Sequence, residues 1–301
     1  MKKKYIVFFT GFLLALNVLA WQEVFVLERP QYLKVDFLDV GQGDSIFIET
    51  PQGQQILIDG GPNSRVLEKL QKLMPAFDKS LDAVILTHPE KDHMAGILEV
   101  LQRYRVDYFL WTGVVKNDAE NKKLAEILNE IQNPSQSFLA ALTGQEKTKV
   151  MAISAGTKIK AGKVIINTLF PLESVAGREL KNTSNDTCIV NRLVFGDSSF
   201  LFTCDIGFPE EKQLINLYTP GVYRSEVLKV AHHGSKYSTS ELFLESVKPK
   251  VAVIEVGKNS YGHPTPETLQ RLEKFGINVL RTDKNGDVEI ESDGKNIYIK
   301  K

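Results

Sequence analysis

The 301-residue sequence predicts two β-sheets packed face to face, with helices on their outer sides. Two observations indicate this architecture. Short apolar strands dominate residues 31–61 and recur in the second half, and in both halves segments with helical spacing follow the strands. The sequence contains no repeat of solenoid length, no heptad pattern and no low-complexity tract. Its length suffices for one large domain or two small ones with a substantial buried core.

In the first half, three strands precede a region that alternates strands with helices. YLKVDFLDV, DSIFIET and QQILIDG are separated by Gly-rich turns, which indicates an antiparallel meander. SRVLEKLQKLM has helical spacing, and Pro75 ends that helix. The remaining predictions are a buried strand at DAVILTH, a helix at MAGILEVLQRY, a strand at VDYFLWT, and helices at 118–131 and 135–143.

The second half repeats this alternation. The pattern predicts strands at KVIINTLF, TCIVNRLVF, SSFLFTCDI, VLKVAHH and VAVIEVG, and then at NVLRTD, DVEIES and NIYIKK. It predicts helices at PEEKQLINLY, STSELFLESV and PETLQRLEKFG. The second of these helices carries a capping box of Ser238 and Glu241.

Residues 1–28 form a separate segment. MKKK precedes YIVFFTGFLLALNVLAW, an uncharged apolar run, and this is the layout of an export signal or a signal anchor. Val18-Leu19-Ala20 offers a small-residue cleavage site, so a cleaved signal peptide and a retained transmembrane anchor both stay open. We therefore expect residues 29–301 to form one domain outside the cytoplasm, either tethered to the cell membrane by a single helix or secreted.

The two cysteines, Cys188 and Cys204, flank a hairpin-like segment whose GDS turn lies near its midpoint. Antiparallel pairing of the two strands would bring both side chains close together. A disulfide in an oxidising compartment and a pair of buried free thiols both fit this placement, and the sequence leaves both open.

Polar residues follow apolar strands at five places, where a layered fold gathers its functional side chains. Taken singly, several of these residues have an ordinary structural interpretation, such as a turn residue for Asp59 or a helix cap for Asp205. Their recurrence at strand ends is what points to a common site. The residues are Gln42 and Asp44, Asp59, the His88–His93 loop, Asp205, and His232 with His233.

The loop LTHPEKDHMAGI has the spacing of a metal site. Side chains two positions apart in an extended loop point the same way, so His88, Glu90 and Asp92 can converge on one ion. His93, next in line, is displaced and can serve a neighbouring ion. Two divalent ions roughly 3.5–4 Å apart can activate water and polarise a scissile ester.

The second half of the chain would complete this site. Asp205 is placed to bridge two ions, and one histidine of the pair His232 and His233 would be a further ligand. We expect Asp92 also to orient the attacking water. His263, in YGHP, would bind phosphate or protonate the leaving oxygen. Four further residues are expected to hold phosphate: Lys91, Ser235, Lys236 and Ser238. The ordinary polarity of a surface loop also explains them.

THPEKDH resembles the HxHxDH signature of the metallo-β-lactamase superfamily. More specifically, eight segments resemble the soluble hydrolase domain of the ComEC/Rec2 family of DNA-uptake (competence) proteins. They run in order from about residue 33 to 292: FLDVGQGDSIFI, ILIDGG, ILTHPEKDHMAGI, NDTCIV, FLFTCDI, LKVAHHGSKYSTS, YGHPTPETLQRL and RTDKNGDVEI.

This resemblance implies an α+β four-layer αββα sandwich with a dinuclear metal site between the sheets and hydrolytic activity. The implied ligands are His88, Asp92, His93, Asp205 and one histidine of the HHGS motif. The substrate it implies is the phosphodiester backbone of incoming DNA. Because the chain has a single apolar segment, the translocation channel would be a separate partner protein.

The sequence departs from the superfamily pattern at three positions. Glu90 stands where the second histidine is usual, although the ComEC/Rec2 branch often carries a carboxylate there. The later metal histidine has no counterpart, and Asn185 or Asp186 could supply an oxygen instead. Cys204 replaces the glycine usual before the bridging aspartate. Added oxygen ligands make Mn²⁺ a competitor of Zn²⁺, since carboxylates suit harder ions.

The function predicted is that of an extracytoplasmic metal-dependent phosphodiesterase or nuclease acting on DNA. Two alternatives stay open. One is a hydrolase of a small lactone, a small phosphodiester or a cell-envelope phosphocholine ester, which the formal net charge of zero favours, because DNA-binding proteins usually carry basic faces. The other is a non-catalytic module that binds DNA or a partner of an uptake apparatus.

Overall fold

The computed structural model describes residues 2–28, 32–133, 147–180 and 184–300. The N-terminal segment, through Gln31, and the chain from Tyr32 onward form separate compact units. Within the described ranges, no helix combines the length and the apolar character needed to cross a membrane. The helix predicted at 135–143 lies outside the described residues.

Strands and helices alternate along the chain in the predicted order, and the structure adds four short strands, at 115–116, 149–152, 158–161 and 179–180, that were not predicted from the sequence. The strands are β1 Leu33–Phe37, β2 Ile46–Glu49, β3 Gln55–Ile58, β4 Ser80–Ile85, β5 Arg105–Trp111, β6 Val115–Lys116, β7 Lys149–Ala152, β8 Lys158–Ala161, β9 Val164–Phe170, β10 Glu179–Leu180, β11 Val190–Phe195, β12 Ser198–Phe202, β13 Val227–Lys229, β14 Val251–Ile254, β15 Asn278–Arg281, β16 Val288–Ser292 and β17 Ile297–Ile299.

The helices are α1 Lys2–Glu28, α2 Arg65–Leu73, α3 Lys91–Leu101, α4 Ala119–Gln132, α5 Phe208–Leu217, α6 Pro220–Tyr223, α7 Glu241–Val247, α8 Pro266–Lys274 and α9 Thr282–Asn285, with short 3₁₀ turns at Asn185–Thr187 and Ala231–Gly234. The predicted cap of α7 is wrong by two residues. Ser240, not Ser238, is the N-cap, and its side chain accepts a hydrogen bond from the Phe243 backbone N–H.

The first sheet has the strand order β17-β16-β1-β2-β3-β4-β5-β7. The predicted antiparallel meander is confirmed, since β1 pairs with β2 and β2 with β3 in antiparallel register. From β3 onward the strands β3, β4, β5 and β7 are parallel. The carboxyl ends of β3 and β4 therefore lie side by side, and Asp59 and the loop from Thr87 follow them at one edge of the sheet.

The second sheet has the order β15-β14-β13-β12-β11-β9-β8. β11 and β12 form the predicted antiparallel hairpin, and β12, β13, β14 and β15 are parallel. Their carboxyl ends again share one edge. This edge brings together Asp205 after β12, the histidine pair after β13, and Glu255 after β14.

Three apolar layers hold the domain together, and they confirm the predicted four-layer sandwich. Between the sheets, residues such as Val35 and Ile58 pack against Val164 and Phe200. Outside the first sheet, Leu57 and its neighbours contact α2, α3 and α4, and outside the second sheet a third core contacts α5, α7 and α8. Because successive strand residues point to opposite faces, adjacent positions such as Leu57 and Ile58 serve different cores.

Candidate metal centre

Four buried side chains converge at the edge that the two sheets share: Asp44, His93, Asp205 and His233. One ligand atom from each lies within 4.8 Å of the others. Asp205 Oδ2 is 3.4 Å from His93 Nε2 and 3.6 Å from His233 Nε2. The loop after β1 supplies Asp44 and the first turn of α3 supplies His93, while the segments that follow β12 and β13 supply the other two. The site therefore forms only when both sheets are in place.

The His93 ring is oriented by a buried carboxylate. His93 Nδ1 lies 2.8 Å from Asp59 Oδ2. Asp59 also accepts hydrogen bonds from the Thr87 backbone N–H at 2.8 Å and from the Thr87 hydroxyl at 2.6 Å. With Nδ1 donating to Asp59, Nε2 faces Asp205 and is the nitrogen that could bind a metal ion after losing its proton. Most metal-binding histidines are oriented in this way, by an acceptor that binds the ring N–H on the side away from the metal.

The same arrangement recurs at His233. Its Nδ1 lies 2.8 Å from the backbone carbonyl oxygen of Glu255, and its Nε2 lies 3.3 Å from Asp92 Oδ2. The two rings belong to different sheets, yet each has Nδ1 engaged by an acceptor and Nε2 turned toward the carboxylates. Such repeated orientation indicates a site built to offer two imidazole lone pairs.

Four non-glycine residues at this edge adopt left-handed backbone conformations. The φ angles are 58° for Asp59, 51° for Cys204, 50° for His232 and 52° for His233. Such conformations cost about 1–3 kcal/mol each and collect at functional sites. They also explain why glycine is expected before the bridging aspartate, the position that Cys204 occupies.

The cysteine question left open by the sequence is settled by a disulfide between Cys188 and Cys204. Its Cα atoms lie 6.0 Å apart, within the usual range for such bonds. The Asp205 backbone N–H donates to Cys188 Sγ at 3.2 Å. The disulfide thus holds the backbone of Asp205.

The Gly-rich motifs VGQGDS and IDGG allow the backbone of the meander to pack closely against the first turn of α3. Gly43 has a φ of 150°, and a Cβ there would lie 2.1 Å from the Asp92 carbonyl oxygen. The Asp44 N–H donates to that same oxygen at 3.3 Å, and the Gly60 N–H donates to the His93 carbonyl at 2.8 Å. Only a residue without a side chain permits this approach, so VGQGDS and IDGG are backbone-packing motifs that fix the distance between Asp44 and His93.

The cluster has the properties expected of a cation site. Among the described residues, the buried atoms that lack a hydrogen-bond partner include Asp44 Oδ1, His93 Nε2 and Asp205 Oδ1. Leaving such atoms unpaired is costly, and a divalent ion would satisfy them. A donor set of two imidazoles and two carboxylates suits Zn²⁺ and Mn²⁺ alike.

Proton affinities in the cluster are strongly displaced. Burial alone would lower the pKa of His93, but the carboxylates of Asp205, Asp44 and Asp59 raise it well above the ordinary value. Burial would also lower the pKa of His233, but the negative charges of Asp205 and Asp44 outweigh this effect and raise the pKa to about 10. The two imidazolium charges in turn hold the pKa of Asp205 well below its usual range, against the effect of burial. The carboxylates thus attract positive charge, from protons or from a metal ion.

Lys229 is a buried cation that sequence reasoning missed. Its side chain is 1% exposed, and Nζ contacts Asp44 Oδ2, lies 3.7 Å from Asp205 Oδ1 and donates to the Cys204 carbonyl at 3.1 Å. The available signal was a lysine inside the apolar run VLKVA, because a lysine in a fully buried strand requires an acidic partner.

Three predicted ligands surround the four-residue cluster. His88 is buried, with its ring centroid 4.2 Å from that of His93, and burial followed by the charge of His93 lowers its pKa to about 3. Asp92 reaches His233, and its side chain is 35% exposed. His232 Nε2 lies 4.0 Å from Asp205 Oδ2, and its side chain is 36% exposed. They line the solvent side of the site and one flank, where a second ion would need ligands.

Glu90 does not join these residues. Its Oε1 accepts hydrogen bonds from Lys116 Nζ at 2.8 Å and from the Ser184 N–H and hydroxyl at 2.9 Å each. The alternation argument fails here because α3 begins at Lys91, so the chain is not extended beyond Glu90. Asp186 is exposed and also lies outside the cluster, in the 3₁₀ turn that begins at Asn185.

The residues predicted to hold phosphate divide into buried and exposed groups. Ser238 is fully buried, and its hydroxyl donates to the Ala231 carbonyl at 2.8 Å. Ser235 is also buried, and its Oγ accepts from the Tyr237 N–H at 3.3 Å. These two serines stabilise the loop that follows the histidine pair through hydrogen bonds within it. Lys91 and Lys236 are exposed.

Two further predicted residues lie beside the site. Gln42 Oε1 accepts a hydrogen bond from the Gly257 N–H at 3.3 Å and so ties the glycine loop to the second sheet. His263 places its ring centroid 5.6 Å from that of His232, and its Nδ1 is a buried atom without a hydrogen-bond partner. Burial, followed by the charge of His232, lowers the pKa of His263 to about 4.

The chain belongs to the metallo-beta-lactamase superfamily, because the sequence model of that family matches residues 38–257. Its relatives include ComE operon protein 3 of Bacillus subtilis, with 30% identity over 274 residues that make up 85% of this chain and 32% of that protein. Recombination protein 2 of Haemophilus influenzae is 27% identical over 92% of this chain and 31% of its own length. The resemblance to competence proteins is therefore confirmed. The chain spans about a third of the length of these curated relatives.

Two solved structures share the fold. The metallo-beta-lactamase fold protein YhfI of Bacillus subtilis aligns with a TM-score of 0.56 and 16% identity, covering 87% of this chain and 100% of YhfI. The metallo hydrolase Igni18 of Ignicoccus hospitalis aligns with a TM-score of 0.50 and 17% identity, covering 86% and 98%. At these identities the likeness shows the fold alone.

Proposed function

We propose that this chain is a metal-dependent phosphodiesterase that cleaves DNA in a competence-like setting. The observation that carries the proposal is the convergence of Asp44, His93, Asp205 and His233 from both sheets, with both imidazole Nε2 atoms turned inward. A family member named Competence protein ComA, from Neisseria gonorrhoeae, is 26% identical over 88% of this chain. That kinship supports DNA as the substrate over a lactone or a phosphocholine ester.

The residues of the site divide the chemical work. His93, His233, Asp205 and Asp44 would hold divalent ions, with His88, Asp92 and His232 available to a second one. Such ions supply Lewis-acid activation of water and neutralise charge on the phosphoryl oxygens. Asp59 and the Glu255 carbonyl keep the two imidazoles in the tautomer that binds metal.

His263 is placed at the entrance for the leaving group. With a pKa of about 4 its ring is neutral at physiological pH. A bound phosphodiester brings negative charge next to the ring, and an opposite charge within a few ångströms raises a histidine pKa. A phosphodiester bound beside His263 would therefore raise its pKa from this low value, in the direction that a general acid requires.

The domain is proposed to work outside the cytoplasm. The N-terminal lysines followed by an apolar run support this placement, and so does the disulfide between Cys188 and Cys204, because such bonds persist in oxidising compartments.

The purified chain, loaded with Mn²⁺ or Zn²⁺, can be incubated with single-stranded DNA, duplex DNA and bis-p-nitrophenyl phosphate to test the proposal. Cleavage of DNA is expected, and Asp205→Asn and Asp92→Ala should abolish it. Hydrolysis of the small ester alone would point to another substrate class. DNA that is bound but stays intact under both metals would point to a non-catalytic binding module.

A further inference from the structure

We propose that Tyr261, together with the ring of His263, forms a subsite that stacks a nucleobase next to the metal centre. The enzyme would therefore act on single-stranded nucleic acid. This inference rests on the proposed function and names the substrate form that the same site takes. It starts from an exposed aromatic side chain next to the site: Tyr261 is 74% exposed, and its ring lies beside that of His263.

A row of aromatic rings leads from Tyr261 into the site. Its ring centroid lies 5.8 Å from that of His263, which lies 5.6 Å from that of His232. His232 in turn is 6.3 Å from His233, one of the four clustered residues. A base resting on Tyr261 would thus sit at the solvent end of a continuous row that ends among the candidate ligands.

The loop that carries Tyr261 is held in one conformation by Asn259. The Asn259 side-chain oxygen accepts hydrogen bonds from the Tyr261 and His263 N–H groups at 3.0 Å each. Its amide donates to the Gly257 carbonyl at 2.9 Å and to the His263 carbonyl at 2.8 Å. A large exposed ring on a fixed backbone loses little further freedom on binding, which favours affinity.

The geometry fits an unpaired base better than a duplex. The rings of Tyr261 and His263 are inclined by 31°, and the exposed tyrosine ring offers a face on which a planar base can stack. Bases inside a duplex already have stacking partners on both faces, whereas those of a single strand are free to stack on protein rings.

Equilibrium binding of a fluorescently labelled oligothymidylate to the full chain, with divalent ions removed by chelator, tests the subsite without cleavage. Stacking of one base contributes about 1–3 kcal/mol, so Tyr261→Ala should weaken binding roughly 5- to 150-fold. Tyr261→Phe and Tyr261→Trp should bind nearly as well as the wild type. Phe77→Ala is the matched control: Phe77 is 98% exposed and precedes β4, so it lies at the end of that strand opposite the site.

An oligonucleotide of the same length without bases should bind the wild type as weakly as oligothymidylate binds Tyr261→Ala. Unchanged affinity of Tyr261→Ala, or equal wild-type affinity for the two oligonucleotides, would overturn the proposal. An equal loss in Tyr261→Phe would also overturn it, since the hydroxyl and not the ring would then be responsible. If the wild type binds in this pattern but never cleaves with metal, the proposed hydrolase fails while the stacking subsite stands.

Discussion

Replacing the buried Asp59 with asparagine probes how the site controls its metal ligands. The carboxylate takes one hydrogen bond from His93 and two from Thr87. Asparagine has the same shape and tolerates the φ of 58° at this position. Its oxygen can still accept from the Thr87 N–H, but its NH₂ group then faces His93 Nδ1. The imidazole must accept that hydrogen bond, so its proton moves to Nε2, the atom that would bind metal.

The expected loss follows from this tautomer change. Removing the acceptor behind a metal-binding histidine typically lowers metal affinity about 10- to 100-fold. That range corresponds to roughly 1.4–2.8 kcal/mol of binding free energy. Competition of the metal-free protein with a chromophoric chelator for Zn²⁺ and Mn²⁺ measures the change, and thermal unfolding of the metal-free variant records any general loss of stability.

The chain offers a matched control at the other end of β4. Asp78 accepts hydrogen bonds from the Ser80 N–H at 3.0 Å and the Ser80 hydroxyl at 2.6 Å, as Asp59 does from Thr87. Asp78→Asn should therefore lose comparable local bonds and keep full metal affinity. If Asp59→Asn and Asp78→Asn bind metal equally well, the idea that Asp59 sets the tautomer of His93 is refuted.

Three more outcomes are expected. Metal binding should release about two protons near pH 7, and metal affinity should increase as the pH rises. The reason is that the pKa values of His93 and His233 are raised, to about 10 for His233, and both rings must lose a proton before they can bind metal. Calorimetry in buffers of different ionisation enthalpy measures the number of protons released. Lys229→Met should lower the urea unfolding free energy of the metal-free protein by about 3–5 kcal/mol, since buried carboxylates lose their cation, and saturating metal should recover part of it. Glu90→Gln should leave chelator-measured metal affinity unchanged, whereas a large loss would restore Glu90 as a ligand.

The fold was predictable because its signals are local. Apolar strands bounded by glycine turns, and helices with regular apolar spacing, appear in the sequence in the order that the structure shows. Ligands at strand ends were predictable for the same reason: once β4, β12 and β13 are recognised, His93, Asp205 and His233 follow directly. Parallel strands bring the carboxyl ends of β12 and β13 to one edge of the second sheet, whereas the approach of that edge to His93 depends on the packing of the two sheets.

The errors came from contacts between segments far apart in the chain. Asp44 was assigned to the site edge, but the close approach of Gly43 to α3 brings it into the cluster, and this approach depends on tertiary packing. Glu90 looked like a ligand from spacing alone, yet Lys116 and Ser184 hold its carboxylate elsewhere. Side-chain direction in a loop depends on where the next helix begins, and that boundary is among the least certain features of a sequence-based assignment.

The pairing of β1 with β16 has a consequence for how the protein is made. All candidate ligands lie between Asp44 and His233, but the first sheet is completed only when Val288–Ser292 pairs with Leu33–Phe37. Asp287, just before β16, also holds the Asp39 N–H at 2.7 Å, in the loop that leads to Asp44. A nascent chain that already contains every ligand still has an open strand edge, and contacts this distant in sequence form slowly. Assembly of the first sheet, and with it of the centre, therefore waits until Val288–Ser292 has been synthesised and has paired with Leu33–Phe37.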